Sequence, residues 1–235
     1  MNSSNPNKSV RKNENIVSMP VHQLKPYPKH PFKQYSDEKL DALAESIARE
    51  GLHQPIIVRV LNENREYEVL SGNNRILAME KLRKKNIPAI IRRMDDAAAA
   101  LVVVNTNLEQ REKLLPSEKA YAYELRMEAL QNAKSENRDT PSDGNGLGAQ
   151  YQNDTDTHAQ IFRYIRLTYL IPELLDLVDQ DKIPVMAGYE ASFLDVDTQD
   201  AVHHYFFGQD SKDKLSVKNA KTIRVANDAG RPVTT

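Results

Sequence analysis

Between Tyr67 and Leu82 the chain passes from a β-forming run through a glycine loop straight into a helical pattern. Tyr67-Glu68-Val69-Leu70 reads as a strand, Ser71-Gly72-Asn73-Asn74-Arg75 as the loop, and Ile76, Leu77, Met79 and Leu82 as a helix face. A strand joined this way to a helix demands a layered unit in which sheet and helices share one core. The junction also has chemistry. A glycine loop at a helix start exposes backbone N–H groups and the positive end of the helix dipole, which suits a phosphate. Arg75 adds a full charge with forked donors. Taken alone, one glycine and one arginine at such a junction are also ordinary turn chemistry.

The neighbouring segments fit the same unit. Pro55 to Val60 is a β-branched strand, and Asn62-Glu63-Asn64-Arg65 is the polar turn that returns it to Tyr67 as a hairpin. Pro88 to Arg92 is a third strand. The first helix is capped by Ser36, carries Leu40, Leu43, Ala44 and Ile47 on one face, and stops at Gly51. Pro26, Pro28 and Pro31 keep the stretch before it extended. A helix covers about Asp95 to Val104, and another opens at Leu115-Pro116-Ser117-Glu118, with Ser117 as its cap, and runs to about Ala133.

From there the pattern is helical only. Residues 135–156 are a polar, glycine-containing linker, order resumes at Thr157, and Pro172 opens a further helix. Two more helices are expected at Ala187–Leu194 and after Thr198. The fold class is therefore an α+β N-terminal domain followed by an all-α domain. Its parts are a disordered basic arm at 1–18, a domain at 19–114, a helical domain at 115–208 and a basic tail at 209–235. A chain of 235 residues suits one to two domains of about 150 residues each.

Composition removes several classes of function. With no Cys there are no disulfides, thiolate nucleophiles or cysteine-held metals. No apolar run approaches the roughly 18–20 residues of a membrane helix, and the N-terminus lacks a signal-peptide pattern, so a cytoplasmic protein is expected. Glu45, Glu68 and Glu80 show no spacing that would gather them, which argues against a metal-dependent nuclease. His22, His30 and His53 are equally scattered and read as surface histidines.

Three boxes in fixed order are more specific than any one of them. Gly51-Leu52-His53-Gln54-Pro55-Ile56 ends the first helix, Ser71-Gly72-Asn73-Asn74-Arg75 follows the hairpin, and Asn107-Leu108-Glu109-Gln110-Arg111-Glu112 precedes Leu115-Pro116-Ser117-Glu118. In this order they resemble the ParB/Spo0J family of partition proteins, from about Met19 to Leu194. The resemblance implies a ParB/sulfiredoxin-like N-terminal domain that binds CTP with Mg²⁺ and closes as a clamp on DNA, followed by a helix-turn-helix. It places Leu52, Gln54 and Pro55 at the base and Gly72, Asn73, Asn74 and Arg75 at the phosphates. Arg111 is a further nucleotide contact, and Asn107 or Glu109 would face the metal. The loop reads GNNR where the family has a GERR-like box, which removes one positive charge from the phosphate site. Binding, with at most slow CTP hydrolysis, is the expectation, and no catalytic residue is assigned. Sulfiredoxin chemistry needs a cysteine in this loop, so it is excluded.

The helix from Thr157 is the expected recognition helix. Ile161, Tyr164, Ile165 and Thr168 share one face, while Arg163 and Arg166 lie roughly opposite with Gln160 on the flank. Tyr164-Ile165-Arg166-Leu167 is similar to the RLL-like stretch that the family carries here, so Thr157, Gln160, Arg163 and Arg166 are the expected DNA contacts. Charge opposes this locally, because Asp139 to Asp210 holds 13 acidic residues against Arg163, Arg166 and Lys182. Phosphate contacts would then fall to the basic arm, to the cluster Lys81, Arg83, Lys84, Lys85, Arg92 and Arg93, or to the C-terminal lysines. Expected partners are DNA, a second copy in a homodimer and a ParA-like Walker ATPase. The alternative is a DNA-binding regulator or scaffold whose nucleotide pocket is vestigial.

Overall fold

The computed structural model describes residues 15–28, 30–61, 66–110, 113–136, 156–208 and 213–230. Two compact units divide the chain, Met1–Thr106 and Asn107–Thr235. Among the described residues of the first unit, five strands form one mixed sheet: β1 Ile16–Pro20, β2 Leu24–Pro26, β3 Ile56–Val60, β4 Tyr67–Ser71 and β5 Asn86–Arg92. Their spatial order is β1-β5-β3-β4-β2. The hairpin β3–β4 is antiparallel, β5 runs parallel to β3, and β1 and β2 close the edges.

Three of these strands are those expected from the β-branched runs. The other two, of which β2 has only three residues, carry little alternation and exist because a neighbour offers backbone partners. β1 lies antiparallel on β5, with Ile16 opposite Ile90 and Pro20 opposite Asn86. Ile16 to Ser18 therefore belong to the sheet and not to the arm that polarity suggested; residues 1–14 lie outside the described residues. Only the start of the extended proline stretch, at Lys25 and Pro26, becomes part of β2, which follows a single 3-10 turn at Val21–Gln23.

Helices α1 (Asp37–Glu50) and α2 (Asn73–Lys81) share one core with the sheet. Ala44 and Ile47 of α1 and Ala78 and Met79 of α2 meet Ile56, Val58, Val69, Ile87 and Ala89. Adjacent residues of β4, Val69 and Leu70, are both buried, so both faces of that strand are covered. Ser36 stands at the cap position of α1 but makes no capping bond to the backbone. Its hydroxyl serves Glu38 instead, whose carboxyl is held below its usual pKa by its own backbone N–H and by that hydroxyl.

The β3–β4 register sets Arg59 opposite Glu68. Arg59 Nε donates to Glu68 Oε2 at 2.7 Å, and its Nη1 reaches Asp96 Oδ1, also at 2.7 Å. Burial pushes the guanidinium pKa down, and the bonds to Asp96 and Glu68 outweigh it, so the net shift is upward. Glu68 is thus a structural partner and not one of a set of metal-gathering carboxylates. Asp96 opens α3 (Asp96–Gln110), which buries Ala99, Ala100, Val103 and Val104.

The second unit is helical throughout its described residues: α4 Pro116–Glu136, α5 His158–Arg166, α6 Pro172–Asp179, α7 Val185–Ala191, α8 Val196–Phe207 and α9 Val217–Asp228. Ser117 does not cap α4. Its N–H and hydroxyl bond the Asp179 carboxylate at 2.9 and 2.6 Å, while Glu118 reaches back to the Leu115 N–H. Asp156 holds the entry to α5 against α4, accepting from Lys119 Nζ at 2.6 Å and Tyr123 OH at 2.8 Å. Leu167, Leu174, Val178, Ile183, Ala187, Val202 and Leu215 form the core. Among the polar groups buried with it, Gln199 accepts from Ile171 N and donates to the carbonyls of Tyr169 and Leu194, so it is satisfied at 1% exposure.

The helix expected at Ala187–Leu194 runs from Val185 to Ala191, starting two residues earlier and ending three earlier, with Pro184 immediately before it. What read as a basic tail contains α9, whose Ala220 is buried in that same core. The linker at 135–156 falls mostly outside the described residues. No helix among those described is long and apolar enough to cross a membrane.

Candidate functional site: a glycine loop at the start of α2

Antiparallel pairing builds the site. With Ile57 opposite Ser71, the chain entering β3 and the chain leaving β4 lie side by side, so Gln54-Pro55 stands next to Ser71-Gly72. Gly72 caps α2 with φ +109°, a backbone conformation that side chains rarely adopt. A Cβ there would stand 2.6 Å from Ile56 Cγ2 and 3.1 Å from Arg75 Nε. Glycine is needed here twice over, for conformation and for space.

Arg75 ties the two boxes together. Its Nη1 donates to the carbonyls of Gln54 and Pro55, both at 2.7 Å, and Nη2 lies 3.5 Å from Ser71 Oγ. Burial lowers its pKa, with Tyr35 acting weakly in the other direction. An arginine stays charged at physiological pH even so. Asn74 Oδ1 accepts from the backbone N–H of Tyr35 at 3.1 Å, which fixes the segment before α1 against the loop. The structure therefore brings together Gln54, Pro55, Gly72, Asn73, Asn74 and Arg75. Leu52 sits differently, packing as a partly buried residue against the sheet core. The result is an α2 N-terminus edged by one partly buried guanidinium, an arrangement able to hold an anionic group.

The third box is placed only in part. Asn107 is half-buried near the end of α3 and belongs to the second unit, while Arg111 and the Glu109 side chain lie outside the described residues.

On α5, Thr157 and Gln160 form a capping box. Thr157 N–H donates to Gln160 Oε1 at 2.8 Å, and Gln160 N–H donates to Thr157 Oγ1 at 3.3 Å. Both expected DNA contacts thus first serve to start the helix, a role that the spacing Thr-x-x-Gln could have announced. Arg166 turns inward. Its Nη2 donates to Ser192 O at 2.7 Å, and its guanidinium lies 4.2 Å from both the Tyr169 and Phe193 rings. No local pattern signals this, because Phe193 is brought up by the chain leaving α7. Arg163 has no hydrogen bond or ion pair among the described residues, and Phe162 beside it is 52% exposed. Several of the opposing acids are consumed by the fold: Asp156 and Asp179 on α4, Glu190 on Arg224, and Asp195 as the cap of α8.

A mixed five-stranded sheet with a phosphate-type loop, followed by a helical unit, defines a recognisable class. Residues 5–108, somewhat under half of the chain, match the family model of the ParB N-terminal domain. A nucleoid occlusion protein of Lysinibacillus sphaericus is 37% identical over 120 residues, 51% of this chain and 40% of that protein. Chromosome-partitioning protein Spo0J of Thermus thermophilus is 26% identical over 209 residues, 89% of this chain and 70% of that one. The chain thus spans about two fifths of the nucleoid occlusion protein's length. Among solved structures, C-terminally truncated ParB from Caulobacter crescentus, complexed to the centromeric parS site, aligns with TM-score 0.50 and 19% identity. That alignment covers 89% of this chain and 98% of the other, and it establishes the shared fold.

Proposed function

We propose that this chain is a DNA-binding partition or DNA-maintenance protein whose N-terminal unit takes CTP with Mg²⁺ and acts as a nucleotide-gated clamp on DNA. The observation that carries the reading is the tether from Arg75 to the Gln54 and Pro55 carbonyls, which makes the base box and the phosphate loop one rigid cradle. In this reading Gln54 and Pro55 meet the base, with Leu52 setting their approach from the core side. The N–H groups of Asn73 and Asn74, with the outer edge of Arg75, meet the phosphates, and Arg111 adds a contact. Asn107 or Glu109 holds the Mg²⁺. The α5 helix supplies the DNA contact through Arg163 and the outer atoms of Gln160 and Thr157. The protein would work in the cytoplasm on DNA, as a dimer, with a Walker-type ATPase as partner.

Calorimetric titration of CTP, ATP and GTP with Mg²⁺ tests this. A CTP-selective heat is expected in the wild type, weakened by about 100-fold or more in Arg75→Ala as two charged hydrogen bonds are lost. A wild type that gives no CTP-selective heat would overturn the nucleotide claim. In the DNA arm, Arg163→Ala weakens binding to the preferred site by about 1–3 kcal/mol and leaves the fold intact. Unchanged affinity would remove α5 from the interface.

A second reading has a specific observation in its favour. Asn74 and the Nη1 group of Arg75 are both engaged by the fold, so the loop offers a triphosphate little positive charge. Site-selective DNA binding that ignores CTP would support a regulator with a vestigial pocket.

A further inference from the structure

We propose that Asp200, His203 and His204 on α8 form a binding site for a borderline divalent cation of the Zn²⁺ type, separate from the nucleotide loop. Among the described residues, one ligand atom from each of the three lies within 4.8 Å of the others. Asp200 Oδ1 and His204 Nδ1 are already 3.4 Å apart. Two ligands on a tetrahedral Zn²⁺ with bonds of about 2.0–2.1 Å stand about 3.4 Å apart, so this pair needs little movement. The His204 Nδ1 contact with the Asp200 carbonyl, 2.9 Å, is the hydrogen bond that ligation replaces.

The third ligand is held in position by packing. The His203 ring stacks on Phe207 with centroids 6.1 Å apart at 23°, and it stands edge-on to His204 at 5.7 Å and 85°. His203 is half-buried, whereas Asp200 and His204 face solvent, so an ion reaches the site without opening the core. The surroundings are anionic: Asp197 lies on the same helix, and Asp195 caps it with its carboxyl held below the usual range by the N–H and hydroxyl of Thr198.

Two imidazoles and one carboxylate suit Zn²⁺, Co²⁺, Ni²⁺ or Cu²⁺ and not Mg²⁺, which prefers an all-oxygen shell. The ion would cross-link successive turns of α8 just before Gly208 closes the helix, leaving its remaining positions to water or to a ligand from another molecule.

The test is titration of ZnCl₂ into the full chain, free of any affinity tag, in a buffer without phosphate or chelator. One equivalent is expected to bind, with excess Mg²⁺ leaving the titration unchanged. His204→Ala and Asp200→Asn each weaken Zn²⁺ by about tenfold or more. Both positions are exposed, so circular dichroism should report an unaltered fold. Zn²⁺ affinity that survives in a His203→Ala/His204→Ala double variant, competition by Mg²⁺, or no saturable heat would each overturn the assignment.

Discussion

Replacing Arg59 with alanine should destabilise the N-terminal unit by about 3–5 kcal/mol, the cost of breaking a buried ion pair from one side. The change strands the Glu68 carboxylate at 4% exposure between β3 and β4, without the guanidinium that neutralises it. Asp96→Ala should cost only about 0–1 kcal/mol, because that carboxylate is 95% exposed and the Arg59–Glu68 bond survives. The contrast separates burial from ion pairing as such. Replacing both buried partners together, Arg59→Leu with Glu68→Leu, should return most of the stability, since no charge is then left without its partner. Hydrogen exchange at the β3 and β4 amides reads this locally in a chain of two units. Equal protection in Arg59→Ala and wild type would refute it.

Gly72→Ala should carry a comparable penalty and, if the proposed nucleotide reading holds, take CTP binding with it. The positive φ costs an alanine about 1–3 kcal/mol, and the clash with Ile56 Cγ2 adds about 1–3 kcal/mol. Ile56 is fully buried, so it has little room to retreat. The loop must instead lift away from β3, and that motion pulls Arg75 off the Gln54 and Pro55 carbonyls. Gly72→Asn provides the control: asparagine tolerates positive φ, yet its Cβ meets the same atom. If Asn were as stable as glycine, the close approach to Ile56 would not be the constraint. Thermal unfolding and CTP calorimetry on the same variants link the two readouts. Wild-type stability in Gly72→Ala would contradict the geometry directly.

Much of this was legible in the residues because it depends on local pattern. The β-branched runs at 55–60 and 88–92, the glycine loop and the Leu40/Leu43/Ala44/Ile47 face each report their own backbone state within a few positions. Caps were less legible. Ser36 has the right type and place, but its hydroxyl found Glu38 instead; Ser117 lies inside the helix that starts at Pro116, and its hydroxyl found Asp179, 62 residues away. The Thr157/Gln160 box was present in the sequence as a spacing and needed only to be read as a cap before being read as a DNA contact.

The sequence by itself determined the kinds of element, their order, and the loop chemistry of Gly72 to Arg75, since these follow from backbone preference and short-range spacing. Tertiary structure alone decided which groups face one another. Strand pairing placed Glu68 against Arg59 and turned three scattered carboxylates into one structural partner and two bystanders. It recruited Ile16–Pro20 and Leu24–Pro26 into the sheet by offering them unpaired strand edges. It also turned Arg166 onto Phe193 and left Arg163 as the arginine of α5 without a protein partner among the described residues. The physical reason is common to all three cases. A side chain's partner is set by the packing of distant segments, and a linear pattern carries only the preference of each segment for its own conformation.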